Sequence, residues 1–163
     1  MNPEQLAGEL GLPGAQEVLR DSAIARLAYN GPDGFPRVIP CGFWWTGTAI
    51  VICTAPTAPK TTALAARPEV AITIDTSGPG GERSLLLRGS AVLDTVDGVA
   101  EEYLAAAAKT MSESDLAGFE HAVRATYDQM VRISITPQWA RFFDFGAGRL
   151  PKFLTELVAK SAG

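Results

Sequence analysis

A chain of 163 residues, 47% of them hydrophobic and 20% charged, is long enough for one domain with a real core and too apolar for a large disordered segment. Its net charge of −4 argues against general nucleic-acid binding and leaves room only for a local basic site. No apolar run approaches a membrane span, and two Cys make neither a disulfide framework nor a zinc site, so no metal is expected.

The opening MNPEQLAGEL is polar and acidic, with no basic region ahead of an apolar core. It does not read as a secretory signal, and a cytoplasmic protein is expected. Residues 3 to 20 predict one or two short helices, broken between Gly11 and Gly14 and laid as a lid on the body of the fold. AIARLAY, residues 23 to 29, is a first strand, and Gly31-Pro32-Asp33-Gly34 a turn. PRVIPCGFWW, residues 36 to 45, is a second strand with Pro40 and Gly42 inside it. Pro cannot donate to a sheet ladder, so Pro40 marks an edge, a bulge or a bend. Gly42 either lets something approach the backbone closely or turns a barrel corner. A hairpin centred on Thr46-Gly47-Thr48 sets Cys41 opposite Cys53; a slip of one residue separates them. Both thiols are expected to be reduced.

Residues 49 to 54 are apolar on both faces and predict a central third strand. TAPTAPKTTALAARPEV, residues 54 to 70, then carries a short helix. Thr57 is its candidate N-cap, Pro59 and Lys60 stand in its first turn, and Arg67-Pro68 ends it. Free backbone N–H groups, Lys60 and the hydroxyls of Thr57, Thr61 and Thr62 fit a phosphate site. The same residues also fit an ordinary capped helix with a solvated Lys.

The fourth strand spans residues 70 to 75, a Gly-rich loop 77 to 81, and the fifth strand 85 to 93, with Gly89 in mid-strand. A helical insert follows over about 97 to 130, with a capping signal at Ser112–Asp115. Leu116, Phe119, Val123, Tyr127 and Met130 share one face of it. His121, the only His, falls on or near the opposite face and reads as solvated. Residues 131 to 145 form a long last strand with apolar and polar residues at both parities, as at a barrel rim or a dimer seam. The tail, about 146 to 163, has a basic turn (Arg149, Lys152) and a short amphipathic helix. No repeat or second domain is visible, so residues 1 to 163 read as one domain.

Six short strands with Gly and Pro at the bends, and a helical insert before the last, predict a small barrel: mainly β with flanking helices. The order PRVIPCGFWW, VICTAPTAPKTTALAARPEVAITID, LLLRGSAVLD and RISITPQWARFFDFG resembles the split β-barrel flavin- and deazaflavin-dependent oxidoreductases, which include pyridoxamine 5′-phosphate oxidase-like proteins. The resemblance implies a six-stranded split β-barrel of the FMN-binding type. It implies a homodimer with a cofactor, FMN or coenzyme F-420, in each of two grooves between subunits. It also implies hydride transfer to a small organic substrate. It assigns the cofactor phosphate to Lys60, with Thr61 and Thr57 as candidate donors to the same group. It lays the tricyclic ring along Pro40, Cys41 and Gly42, and turns Trp139 and Arg141 toward the partner's groove.

Family members often carry Arg two residues before this Lys and Asn three after it; here those positions are Ala58 and Ala63. Arg67, Arg37 or Arg141 would then have to compensate, or the cofactor is held weakly, or the pocket holds something else. The C-terminal Arg and His of a true pyridoxamine 5′-phosphate oxidase are not visible, and that activity is not assigned. No catalytic acid, base or nucleophile is identified. Phe43, Trp44 and Trp45 are expected to bound an apolar substrate pocket, with at least one Trp in the core, and water or Tyr29 to protonate a substrate. Two alternatives stand: a protein of the same fold that binds a flavin or another planar ligand without turnover, and a haem-binding or haem-degrading split barrel, for which His121 is the sole His ligand available.

Overall fold

The computed structural model describes residues 1–79 and 81–161. Local sequence sets the first two helices. Helix α1 (Pro3–Leu10) opens on a capping box: Asn2 accepts from the Gln5 amide, and the Gln5 side chain accepts from the Asn2 amide. Helix α2 (Pro13–Asp21) begins on a Pro at its first position and buries Ala15, Val18 and Leu19. Both pack on the sheet, as the predicted lid required.

The strands are β1 (Ile24–Asn30), β2 (Pro36–Gly42), β3 (Trp44–Trp45), β4 (Ile50–Thr54), β5 (Glu69–Gly78), β6 (Gly81–Asp97) and β7 (Gln129–Asp144). They form one antiparallel sheet in the order β2-β1-β5-β6-β7-β4-β3. A single residue, Phe43, joins β2 to β3, yet these strands lie at opposite ends of that order. The sheet must therefore curl until its edges meet, which makes it a barrel left open along one seam.

This seam accounts for three corrections. The stretch 36–45 is not one strand but two, so the barrel has seven strands where six were expected. The turn also pairs Trp44 with Val51, one residue away from the predicted register, and the ladder stops there. Cys41 instead pairs with Ala25 on β1, and Cys53 with Arg132 on β7. They are not cross-strand neighbours. Nor is β4 central: β7 lines its full length on one side, and the two-residue β3 is all that covers the other. Pro40 lies on the edge strand β2, where its missing N–H breaks no ladder.

The mixed parity of the last strand has a local cause. Arg88 pairs with Trp139 and Gly89 with Pro137, leaving Gln138 as an extra residue in β7. Such a bulge flips the alternation. Val131, Ile133, Ile135 and Pro137 point inward before it, and Ala140, Phe142 and Asp144 after it. Gly89 is what lets the strands close here: a Cβ on it would sit 2.5 Å from the Thr136 carbonyl oxygen and 3.1 Å from Ile135. That oxygen belongs to the ladder and cannot swing aside. Gly89→Ala is expected to destabilise the fold by about 1–3 kcal/mol through overpacking. A denaturant unfolding midpoint equal to wild type would show that the ladder opens there without penalty.

Helix α3 (Pro59–Ala66) follows β4, and the insert between β6 and β7 holds α4 (Glu101–Ala107) and α5 (Glu113–Thr126). Ser112 caps α5 as its sequence predicts, accepting from the Asp115 amide. The helix stops at Thr126, so Tyr127 and Met130 lie beyond it, with Met130 fully buried in β7. Val99, Leu104, Val123 and Met130 form a second apolar cluster, apart from the barrel core. Helix α6 (Lys152–Ser161) buries no residue. In the predicted loop 77–81, β5 runs on to Gly78 and β6 starts at Gly81; residue 80 lies outside the described residues, as do 162 and 163 of the tail. Among the described residues no helix is long and apolar enough to cross a membrane.

Candidate functional site

The start of α3 differs from its sequence-based expectation. Its N-cap is Ala58, not Thr57, and no side chain caps it. Thr57 is exposed one residue upstream. Thr61 is buried, and its hydroxyl donates to the carbonyls of Ala58 (2.7 Å) and Pro56 (3.0 Å). Its amide donates to Ala58 as well. Both Thr61 donors are thus engaged in tying the turn to the helix, and Thr61 has no proton left for a phosphate. Ala63 and Leu64 face the core, so position 63 could not present a polar side chain to a ligand. Lys60 stands half-buried in the first turn.

Lys60 lines a pocket of about 380 Å³ at the seam of the barrel, within the range of small-molecule sites. One side is the end of β2, with Pro40, Cys41 and Gly42, next to Ile24. The floor is Val51, Ile52 and Cys53 of β4. The insert supplies the far wall: Glu102, Tyr103, Ala106 and Ala107 of α4, then Thr110 and Phe119. Tyr103 stacks on Phe119 with ring centres 5.8 Å apart and meets Tyr127 edge-on at 6.3 Å. Among the described residues, nothing lies within 4 Å of where a Cβ on Gly42 would sit, so the space beside that backbone is open.

The electrostatics are simple. Burial pushes the Cys53 thiol up to about 11, the Glu102 carboxylate adds to this, and Arg132 opposes it. Burial also raises Cys41, against the pull of Lys60. Both thiols stay protonated at neutral pH and act as wall rather than nucleophile. Burial raises Tyr103 too, with Tyr127 adding to it. Among the described residues lining this pocket, Lys60 is the one Lys or Arg.

The structure therefore brings together Pro40, Cys41, Gly42 and Lys60, and leaves the other predicted site residues elsewhere. Arg67, at the far end of α3, donates to the Pro32 carbonyl at 3.3 Å. Arg37 pairs with Asp33 at 2.8 Å, and Arg141 with Glu9 at 2.8 Å. None of these three lines the pocket or compensates for Ala58 and Ala63 there. Trp139 stands on the outer face of the sheet with the Arg88 guanidinium 4.1 Å above its ring. Strand registers set it in the row Val38–Ala28–Ala71–Arg88–Trp139.

Phe43 is fully buried and Trp45 packs on the core, and neither they nor Trp44 line the pocket. Tyr29 is buried in β1 away from it, and His121 is exposed on α5, so neither the predicted proton donor nor a haem ligand reaches the site. The residues missed from sequence are Glu102, Tyr103 and Phe119. The one available signal was the apolar face of the insert that includes Phe119, which needed a surface to cover.

A curled antiparallel sheet, open along one seam with a pocket there, defines a split β-barrel. Within that class the chain belongs to the pyridoxamine 5′-phosphate oxidase family, whose model matches residues 14–141. No curated protein matches the chain. Among solved structures it is similar to one named F420 reductase, with 26% identity and a TM-score of 0.58 over 76% of this chain and 94% of that one. It is similar in fold to a conserved hypothetical protein from Mycobacterium tuberculosis (18% identity, TM-score 0.58, 93% of this chain and 89% of that one). The same holds for an FAD-binding protein from Mesorhizobium loti (18% identity, TM-score 0.53, 79% and 89%).

Proposed function

We propose that this chain is a cytoplasmic, homodimeric oxidoreductase that uses coenzyme F-420 or FMN for hydride transfer to a small organic substrate. The observation that carries this reading is the meeting of Lys60 with Pro40–Gly42 around one largely apolar pocket in a chain of this family. The residues fit a flat ring with an anionic arm. Pro40 has no N–H to leave unpaired against the ring, Gly42 leaves room beside it, and Lys60 lines the same pocket as the cation for the anionic arm. When bound, such a cofactor supplies the hydride, and the protein orients it and excludes water. That division of labour suits a pocket whose thiols and phenol stay neutral.

The dimer reading draws on the outer face of the sheet. Ile24, Val38 and Val92 are exposed on it at 48, 63 and 60%, and the row ending at Trp139 runs across five strands to the strand that edges the pocket. Apolar exposure of this kind suits a contact surface, and a second copy there would turn Trp139 toward its partner's groove. Arg141, tied to Glu9, would act at that seam only at the expense of its ion pair. The half-buried free thiols suit a reducing compartment.

Titration of the purified protein with FMN and, separately, with coenzyme F-420, followed by cofactor fluorescence, tests the reading. Lys60→Ala is expected to weaken binding roughly tenfold or more, as loss of a charged contact to phosphate does. Equal affinity in the folded variant would remove Lys60 as the phosphate ligand. A second reading, binding without turnover, is favoured by the lack of any Arg among the described residues lining the pocket. Tight cofactor binding with no hydride transfer to any acceptor would select it.

A further inference from the structure

We propose that the insert is the substrate side of the pocket: Tyr103, Ala106, Ala107 and Phe119 seat an uncharged, flat, conjugated ring compound, and anionic acceptors are turned away. This rests on the oxidoreductase reading above and adds to it the class of substrate.

The two walls of the pocket differ in kind. The barrel side carries Lys60, the one Lys or Arg among the described lining residues, and the reading above gives it to the cofactor's anionic arm. The insert side has no cation left for a second anion. Its one charged lining residue is Glu102, whose Oε1 lies 3.3 Å from Arg132 Nε. That pairing does not cancel the carboxylate at the pocket floor. Beyond burial, the main effect, the Cys53 thiol is raised by Glu102 more than it is lowered by Arg132. An anionic acceptor against this wall meets like charge, which discriminates between ligands of one shape.

The shape of the wall comes from helix spacing. Tyr103, Ala106 and Ala107 stand at i, i+3 and i+4 on α4 and so share one face. All three are half-buried and line the pocket. Two methyl groups beside the Tyr103 ring leave room that longer side chains would fill. Phe119 of α5 continues the wall, stacked on Tyr103 at an interplanar angle of 27°. Both rings pack against the second apolar cluster, that of Val99, Leu104, Val123 and Met130. Lys109 ties the end of this insert to α2 through the Ser22 and Leu19 carbonyls. The wall is thus flat, apolar and held from behind, a surface on which flat rings gain by offset or edge contact. Hydride transfer needs an unsaturated carbon, so the compound that suits both wall and chemistry is conjugated and uncharged.

The test reads binding rather than turnover. Methyl naphthyl ketone, an uncharged conjugated ketone, is compared with naphthoate, which carries a carboxylate on the same ring system. Each is titrated by equilibrium dialysis against protein loaded with whichever of FMN or coenzyme F-420 it binds. The proteins are wild type, Glu102→Gln and the double variant Ala106→Leu/Ala107→Leu. Wild type is expected to hold the ketone roughly tenfold or more tighter than naphthoate. Glu102→Gln is expected to raise naphthoate affinity by about threefold or more and leave the ketone unchanged. The double variant is expected to weaken the ketone by about fivefold or more and leave cofactor affinity unchanged, read by cofactor fluorescence. Naphthoate bound as tightly as the ketone by wild type would overturn the exclusion of anions. Ketone affinity untouched in the double variant, or a parallel loss of cofactor affinity, would overturn the insert as the substrate wall. Should Glu102→Gln fail to fold, the wild type and the double variant decide the matter. If wild type binds neither cofactor, the cofactor reading falls by itself. The same titrations then use Lys60→Ala alone and with the two Leu substitutions, where no cation lines the pocket, and the same outcomes decide the wall.

Discussion

Replacing Glu9 with Ala is expected to destabilise the protein by about 2–4 kcal/mol. Glu9 lies on α1 and is 7% exposed. Its carboxylate accepts from Arg141 Nη1 at 2.8 Å, Arg149 Nη2 at 2.7 Å and the Phe142 amide at 2.9 Å. Arg149 also donates from Nε to the Phe142 carbonyl at 2.8 Å. One buried side chain thus fastens the first helix, the last strand and the turn beyond it. Removing one partner of a buried pair costs about 3–5 kcal/mol. The lower figure applies here because the side chains of Arg141 and Arg149 are 51 and 42% exposed and can turn to water. The Phe142 amide cannot. For a chain of this length the melting temperature should fall by about 5–15 °C.

Acid sharpens the same test. Burial of Glu9 opposes its charge, but the Phe142 amide and the guanidinium groups of Arg149 and Arg141 outweigh burial and hold the carboxyl below its usual range. A carboxylate lowered on folding stabilises the native state above its ordinary pKa, and that contribution fades as pH falls through the lowered value. The gap between wild type and Glu9→Ala should therefore be full at pH 7 and narrow below about pH 4. Coincident melting curves at pH 7 would mean that α1 is fastened by its apolar contacts alone.

The barrel was legible in the sequence because its strands obey local rules. Pro40 marked an edge, a bulge or a bend, and β2 is an edge. Alternation in AIARLAY and VAITID marks the inner faces of β1 and β5. What stayed hidden depends on distant partners. No local signal says that Phe43 leaves one edge of the sheet for the other, because PRVIPCGFWW has strand propensity throughout. The bulge at Gln138 was visible only as a confusion of parity, since its cause is the approach of β6 at Gly89. At the site, Lys60 and Pro40–Gly42 were readable through family resemblance and do line one pocket. Thr61 was misread because a hydroxyl in a helix's first turn can face either solvent or its own backbone. Here burial of Ala63 and Leu64 turns that side of the helix inward. The wall from α4 and α5 was missed because its residues lie about fifty positions from Lys60 in sequence, and nothing in a helix's own pattern names the surface it covers.

Phe43→Ala is expected to cost about 3–5 kcal/mol, as deletion of a fully buried aromatic does. The ring is 0% exposed at the residue where β2 becomes β3. It also carries a second load. Lys109, just beyond α4, places Nζ 3.9 Å above the Phe43 ring and donates to the carbonyls of Ser22 (2.9 Å) and Leu19 (3.3 Å) at the end of α2. The insert that walls the pocket is thereby tied to the barrel seam through Phe43. Burial pulls Lys109 down to about 8, against the carboxylate of Asp21. An unfolded Lys keeps its proton to about 10.4. Between those values the unfolded state binds more protons, so wild-type stability from this group rises with pH over that window. Truncating Phe43 admits water to Lys109 and returns it toward its ordinary value, which should flatten that rise. Phe43→Leu, which keeps an apolar side chain over the seam, should recover most of the stability. Melting curves of the three proteins at pH 7.5 and pH 9.5 separate the two effects. A Phe43→Ala variant within about 1 kcal/mol of wild type would show that the seam is closed by the ladder alone. A large loss with an unchanged pH response would show that Lys109 is buried by something other than this ring.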